Sequence, residues 1–407
     1  MEYAEAAVKR LLNGKPPGNR DLIKEITVGI DFLVDFWEEK YLREYIPWGG
    51  SRIQFITGRQ GSGKSHLLEY TLERAGNYKT VSCSAKEIWL NDFKEIFFEA
   101  LRQCDIEDCV RLCCENLIVE MGYPLEEVRA AGKLIDYLAA QGINDPFTKR
   151  EIRLQLNRMF LENPQMDNNF AFACGLLAGG QLGHPLLEES GRDALLGWLE
   201  GRKEVKIPAL RNLGLSPARI SKHNARHMLR SLVEIIKMAG YDGLLIAVDD
   251  LDVLLSKDTL EEIRYTKQKR DDVYESLREL IDEIDTLHNI LFLFAFDRKL
   301  IDDERFGIKS YQALWFRIQN EVYSDRFNRF SNMVDLDKLP VYTIDTVMDM
   351  SARIAQAVQG TIGHVPPQPL DAAVAGEILS RADRSEIALP RRVVMATLGL
   401  EGDTYGY

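Results

Sequence analysis

Positive charge is what this chain is short of. Lys and Arg number 51 against 63 Asp and Glu, for a net charge of −12. That excludes a broad basic face of the kind that holds duplex nucleic acid non-specifically, and leaves room only for a local basic channel, such as one built by oligomerisation. Long hydrophobic runs are missing too. The nearest, residues 170–180, is too short and too rich in glycine to span a bilayer, so no membrane role is expected. The opening Met1–Arg10 lacks the apolar stretch of a signal peptide, and the chain reads as cytoplasmic. Histidine and cysteine number six each, and no common zinc spacing occurs among them. Cys104, Cys109, Cys113 and Cys114 cluster without a nearby His. They read as reduced side chains packed on an amphipathic helix, not as metal ligands. His223 and His227 share a helix face without a carboxylate motif and read as ordinary surface or interface residues. Internal repeats and low-complexity tracts are absent.

What the chain does have is a loop. Residues 51–68 run SRIQFITGRQGSGKSHLL, in which Gly58, Gly63, Lys64 and Ser65 fill the pattern G-x-x-x-x-G-K-[ST]. The apolar run Ile53–Ile56 leads in as a buried strand would, and His66-Leu67-Leu68 continues as a helix. Glycines let the backbone of Gly58, Gln60, Gly61, Ser62 and Gly63 curl its N–H groups around phosphates. The helix that follows points its positive end at the same charge. Lys64 is placed to reach the β- and γ-phosphates and Ser65 to hold Mg²⁺. His66 packs close to the phosphates. The bland alternative is a βα turn without a ligand; the strand, the Lys-Ser pair and the helix together weigh against it.

A second motif completes the first. Leu244–Val248 is a continuous apolar run, as expected of a parallel strand covered on both faces, and it ends in Asp249-Asp250. This is the Walker B pattern, weak alone and strong beside a phosphate loop. Asp249 is the expected magnesium carboxylate. Asp250 stands where many ATPases carry a Glu that polarises the attacking water. Asp252 is a spare carboxylate that suits a turn or cap. The run Leu291–Phe296 predicts another strand, ending in Asp297. That residue either orients water beside the γ-phosphate or caps the helix after Arg298.

The rest of the chain is expected to be α/β: a parallel sheet with a large helical insertion and a helical lid. Residues 1–50 are a helical lead-in. Residues 51–104 and 206–338 form the α/β core, with further strands at Tyr78–Cys83 and Met333–Leu336. Helices are expected over 85–103, 217–240 and 259–286. Residues 105–205 lack a convincing strand and read as the insertion, because the distance from Lys64 to Asp249 is about twice what two strands and two helices need. Residues 339–407 are the lid, with no room left for a winged-helix domain. The basic segment 264–270, with its one Tyr, reads either as a nucleic-acid track in a ring's channel or as a solvated helix face balanced by Asp271 and Asp272, and the second is preferred. Arginines that stabilise phosphoryl transfer are sought at Arg317, Arg326 and Arg329, and at the Arg391-Arg392 pair after Leu389-Pro390.

In order, the phosphate loop, Walker B strand, polar strand end, Arg-Phe segment and Pro-Arg-Arg resemble the AAA+ branch of P-loop ATPases. More narrowly, the chain resembles the BrxD-like ATP-binding proteins of BREX phage-defence systems. The likeness is carried by Leu11–Pro17 followed by Ile26–Gly29, by Gly197–Gly201 followed by Leu210–Gly214, and by Ala239–Leu245, Tyr274–Asp282 and Arg305–Leu314. It covers most of the chain, with few marks in 105–195. The resemblance implies ATP and Mg²⁺ as ligands, with Lys64, Ser65 and Asp249 in direct correspondence and Val28 beside the adenine. It implies Arg391 as a lid arginine, with Arg392 behind it, and Arg326 or Arg329 as a finger reaching a neighbouring subunit. Homo-oligomers, other defence-system proteins and DNA are the implied partners. Two positions depart from the pattern. Asp250 is one methylene shorter than the usual Glu, and Asp297 replaces the usual Asn or Thr. An ATPase acting in phage defence is the leading expectation. A nucleotide-gated assembly switch with slow or no hydrolysis, and a DNA-loading initiator ATPase, are the alternatives.

Overall fold

The computed structural model describes residues 2–143, 145–256, 263–322, 327–359, 367–382 and 385–399. Five strands form one parallel sheet: β1 (Ser51–Gly58), β2 (Tyr78–Ser84), β3 (Gly243–Asp249), β4 (Ile290–Asp297) and β5 (Met333–Asp335), in the order β2-β3-β4-β1-β5. The alternation of side chains along each strand divides two cores. Leu244, Ile246 and Val248 of β3 and Phe292, Phe294 and Phe296 of β4 face one layer of helices. Leu245 and Ala247, with Leu291, Leu293 and Ala295, face the other. Both faces are covered, so both parities are apolar and the strands read as unbroken runs. The register sets Gly58 of β1 beside Asp297 of β4, and Ser84 of β2 beside Asp249 of β3. The carboxyl ends of four strands therefore meet along one edge, where ligands bind in open parallel sheets.

The first core is the larger. It runs without a break from the sheet through the helices Lys94–Cys104 and Ala225–Met238 into Ile106–Glu120 and Asn168–Leu182. Within 105–205 the described residues contain helices and turns but no strand. All six cysteines are free and buried, and no cluster of metal-ligating side chains occurs among the described residues. Burial pushes the Cys109 thiol up to about 11 and those of Cys83, Cys104 and Cys114 to about 12, so they are inert packing groups. No helix among the described residues is long and apolar enough to cross a membrane.

A third core joins the two ends of the chain. Val8 and Leu11 of the amino-terminal helix Glu2–Leu12 pack with Val347, Met350 and Ile354 of Ile344–Ala357 and with Leu389 and Val393 of Leu389–Thr397.

Three helices begin later than their composition suggests. Residues 85–93 are turns, and the helix opens at Lys94. The buried Tyr265 hydroxyl takes the Leu90 N–H at 3.0 Å and lies 3.1 Å from the Ile88 carbonyl, which holds that segment out of a helix. The next helix starts at Ala225, not 217, after a turn in which Asn224 Oδ1 accepts the Ser221 N–H at 2.7 Å. The third runs Lys267–Glu283, opened by the Thr266 side chain; residues 257–262 lie outside the described set. The basic segment near it is engaged internally. Lys269 lies over the Trp89 ring at 3.3 Å, Arg270 donates to the Leu254 carbonyl at 2.7 Å, and Tyr265 is buried. Arg264 and Lys267 stay exposed. The described contacts favour neither a nucleic-acid track nor a simply solvated face.

Candidate functional site

The loop between β1 and the helix Lys64–Glu73 is shaped by glycine at two points. A Cβ on Gly58 would meet Ser62 Oγ at 2.5 Å. Gly61 has φ +80, and a Cβ there would collide with Cβ of Arg391. Lys64, which opens the helix, turns its ammonium back over the loop, donating to the carbonyls of Gly58 at 2.9 Å and Arg59 at 3.0 Å. It lies 3.9 Å from Asp297 Oδ2. Ser62 Oγ is buried without a hydrogen-bond partner among the described residues. A glycine-shaped loop, a spare hydroxyl and a cation turned back over the loop suit an anion.

Asp249 closes the floor of the site. Its carboxylate accepts the Asp250 N–H at 2.8 Å and is hydrogen-bonded by Ser65. Burial, and then the negative charge of Asp250, push its pKa up to about 6. Burial likewise raises Asp252. A bound divalent cation would relieve this crowding of carboxylates, so Ser65 and Asp249 fit a magnesium ion.

Asp250 faces elsewhere. Its backbone is left-handed, φ +61, and its carboxylate accepts from Ser84 Oγ at 2.7 Å and Lys86 Nζ at 2.9 Å. Asp297 is a helix cap that also stands beside the loop lysine. Its Oδ1 caps the Lys299 N–H at 3.0 Å, while Oδ2 lies beside Lys64.

Opposite the loop is an apolar wall. A cavity of about 160 Å³ is lined by Gly61–His66 on one side and by Leu11, Val28, Ile30, Tyr342, Met350, Ile354 and Val394 on the other. The volume and lining suit the base of a nucleotide, with the phosphates at the glycine-rich end. His66, on the loop side, is tied to the segment before Val28. The Thr27 hydroxyl donates to the Ile23 carbonyl at 2.6 Å and lies 2.7 Å from His66 Nε2, so the imidazole donates from Nε2. Burial lowers its pKa to about 4, which keeps it neutral. Gln60 is not among the residues that line the cavity; its carbonyl accepts the Ala388 N–H at 2.9 Å.

This geometry belongs with a recognisable lineage, because the family described as BREX system ATP-binding protein BrxC/D matches residues 3–400. The chain belongs to that family. It is thus an ATP-binding component of a phage-defence system. No curated protein and no solved structure matches it.

The arginines are divided. Arg391 is at the site: its N–H donates to the Gly61 carbonyl at 3.2 Å, and its guanidinium donates to the carbonyls of Leu11 and Leu12 at the end of the amino-terminal helix. Arg392 turns into the third core, toward the Ile378 carbonyl at 3.1 Å. Arg329 is away from the cavity, 4.8 Å over the Phe36 ring. Arg317 is held by Asp282 through Nε and Nη2. Arg326 lies outside the described residues. Three participants had no local sequence signal. Arg59 bonds Asp337 and the carbonyls of Ala382 and Ser385. Thr27 fixes His66, and Lys86 holds Asp250. All three act across more than 35 positions of chain, so only the folded structure brings them together.

Proposed function

We propose that this protein is a Mg²⁺-dependent ATPase of the AAA+ type that works as an oligomer with other proteins of its defence system. The observation that carries the reading is the meeting of Lys64, Ser65, Asp249 and Asp297 at adjacent strand ends beneath an apolar base pocket. The backbone N–H groups of Gly61–Ser65 and the positive end of the helix that follows hold the phosphates, and Lys64 exchanges its carbonyl partners for β- and γ-oxygens. Ser65 and Asp249 would hold a magnesium ion, whose positive charge would offset that of the phosphates. Asp297 keeps Lys64 positioned and can orient water at the γ end. Asp250 takes a proton from that water once it leaves Ser84 and Lys86. Arg391 closes from the lid. Arg329 or Arg326 reaches a neighbouring subunit, in keeping with Arg329 lying outside its own chain's cavity.

A second reading is favoured by one contact. Asp250 is tied to Ser84 and Lys86, and as Asp it reaches less far than Glu. ATP could then drive assembly with little turnover. The two separate in one experiment: ATP hydrolysis and ATP-dependent assembly of wild type, Lys64→Ala, Asp250→Ala and Asp250→Glu. An ATPase loses turnover at least tenfold in Asp250→Ala and in Lys64→Ala. A switch assembles with ATP in both Asp250 variants and turns over slowly in all. Wild-type protein that neither hydrolyses ATP nor assembles with it, even with DNA and partner proteins present, would sink both. DNA acting as a cofactor would appear as stimulated turnover.

A further inference from the structure

The cavity beside the glycine-rich loop holds one charge that the roles assigned above leave over. Its lining includes three cations, Lys15, Lys64 and Arg391, and neither Asp nor Glu. In a chain with net charge −12, a cavity wall without a single acid is a local reversal of sign. Lys64 is engaged with the carbonyls of Gly58 and Arg59, and Arg391 with those of Leu11 and Leu12. Lys15 is exposed, and its ammonium has no hydrogen-bond or ion-pair partner among the described residues.

The turn that carries Lys15 is fixed on both sides. Before it, the helix Glu2–Leu12 ends at a left-handed Gly14, φ +74. The Gly14 N–H meets the Leu11 carbonyl at 3.0 Å and the Lys15 N–H that of Arg10 at 2.9 Å. After it, Pro16 biases the Lys15 backbone toward extended conformations. Arg10 donates from Nε to the Pro16 carbonyl at 2.7 Å and pairs through Nη2 with Glu69 at 2.9 Å. Glu69 belongs to the helix that Lys64 opens, so the turn and the phosphate loop share one support.

The turn also stands near the loop. A Cβ on Gly14 would lie 3.5 Å from Arg391 Cζ, and a Cβ on Gly61 would run into Arg391 Cβ. One arginine side chain therefore spans from the neighbour of Lys15 to the tip of the loop. The other end of the phosphates is marked by Asp249 and Asp297, and neither lines this cavity. A lysine just past a helix end is ordinarily explained by the negative pole of the helix. That explains a favourable charge, but not its place on the wall of a cavity without acids.

We propose that Lys15 is a phosphate-binding residue of the nucleotide site. It meets the α- and β-phosphates from the amino-terminal turn, while Lys64 holds the β- and γ-oxygens from the loop. The inference rests on reading this cavity as the nucleotide site. Because ATP and ADP share the two phosphates concerned, Lys15 serves both alike.

The test is calorimetry of ADP and ATP, each with Mg²⁺, on the full chain as wild type, Lys15→Gln, Lys15→Arg and Lys64→Ala. Lys15→Gln removes the charge and should weaken ADP and ATP alike, by about tenfold. Lys15→Arg should restore most of the loss. Thermal unfolding without nucleotide should be the same in both Lys15 variants as in wild type, which a charge serving only the helix end would not predict. Acetylation of lysines in the wild-type protein, read by mass spectrometry, should find Lys15 protected by ADP and the exposed Lys133 unprotected; this measurement does not depend on any variant folding. ADP affinity unchanged in Lys15→Gln but lost in Lys64→Ala would overturn the role of Lys15 and leave the nucleotide site standing. A loss confined to ATP, or a Lys15 that ADP leaves fully reactive, would overturn it too. Wild-type protein that binds neither nucleotide would overturn both readings.

Discussion

Asp249 should be held at a cost to stability, and Asp249→Asn in the nucleotide-free protein measures it. The carboxyl's pKa rises from 3.8 to about 6 through burial and the charge of Asp250. Because the folded value is the higher one, the folded state keeps a proton that the unfolded chain releases. Below the unfolded value both states are protonated and nothing is lost. Between the two values the unfolded chain ionises first, so stability falls as pH rises, and the full penalty applies above about 6. A shift of about two units corresponds to about 3 kcal/mol. Solvent at the open edge of the site screens part of this, which leaves roughly 1–3 kcal/mol. Asn has the same shape and can still accept the Asp250 N–H, now at 2.8 Å. Urea denaturation in EDTA should therefore find the variant more stable than wild type near about pH 7.5, with the gap closing toward about pH 4. Mg²⁺ and ATP together should reverse the order, stabilising wild type alone. A variant no more stable than wild type at the higher pH, or a gap independent of pH, would refute the assignment of Asp249 as a carboxylate ionised against its surroundings.

Gly61→Ala tests the contact between the glycine-rich loop and the lid. It imposes a left-handed backbone on a residue with a Cβ, at about 1–2 kcal/mol, and drives that Cβ into Arg391. We expect calorimetry to show at least a thirtyfold loss of ATP affinity; unchanged affinity would mean the lid does not rest on the loop. His66 should be silent in pH profiles. With its pKa lowered to about 4, it stays neutral throughout the physiological range, so ATP binding should show no histidine titration between about pH 6 and 8. A step in that range abolished by His66→Asn would contradict its burial.

The sheet was legible in the sequence because its physics is local. Leu244–Val248 and Leu291–Phe296 are apolar at every position, which strands buried on both faces require. The glycine-rich loop was legible because its spacing is a local pattern of backbone freedom and one cation. Helix starts at Lys94 and Ala225 were not, because a buried tyrosine hydroxyl and an Asn turn decide them against propensity. The tie between Asp250 and Lys86 was equally hidden. It depends on β2 lying beside β3, which joins residues 164 positions apart. The amino-terminal helix reads as part of a helical lead-in, and nothing local names its packing partners. It packs with helices more than 330 positions along the chain, where Leu11 finds its apolar partners in Met350 and Ile354.

The reach of Arg391 to Leu11 and Leu12 spans 380 positions, and it bears on how the protein is born. During synthesis the glycine-rich loop emerges well before the helix Leu389–Thr397, whose Arg391 and Val394 line the same cavity. Closing a contact over so many positions costs loop entropy that local pairing does not. A truncated product lacking residues 389–397 would have the sheet without a finished pocket. It would be a poor competitor for ATP in the cell.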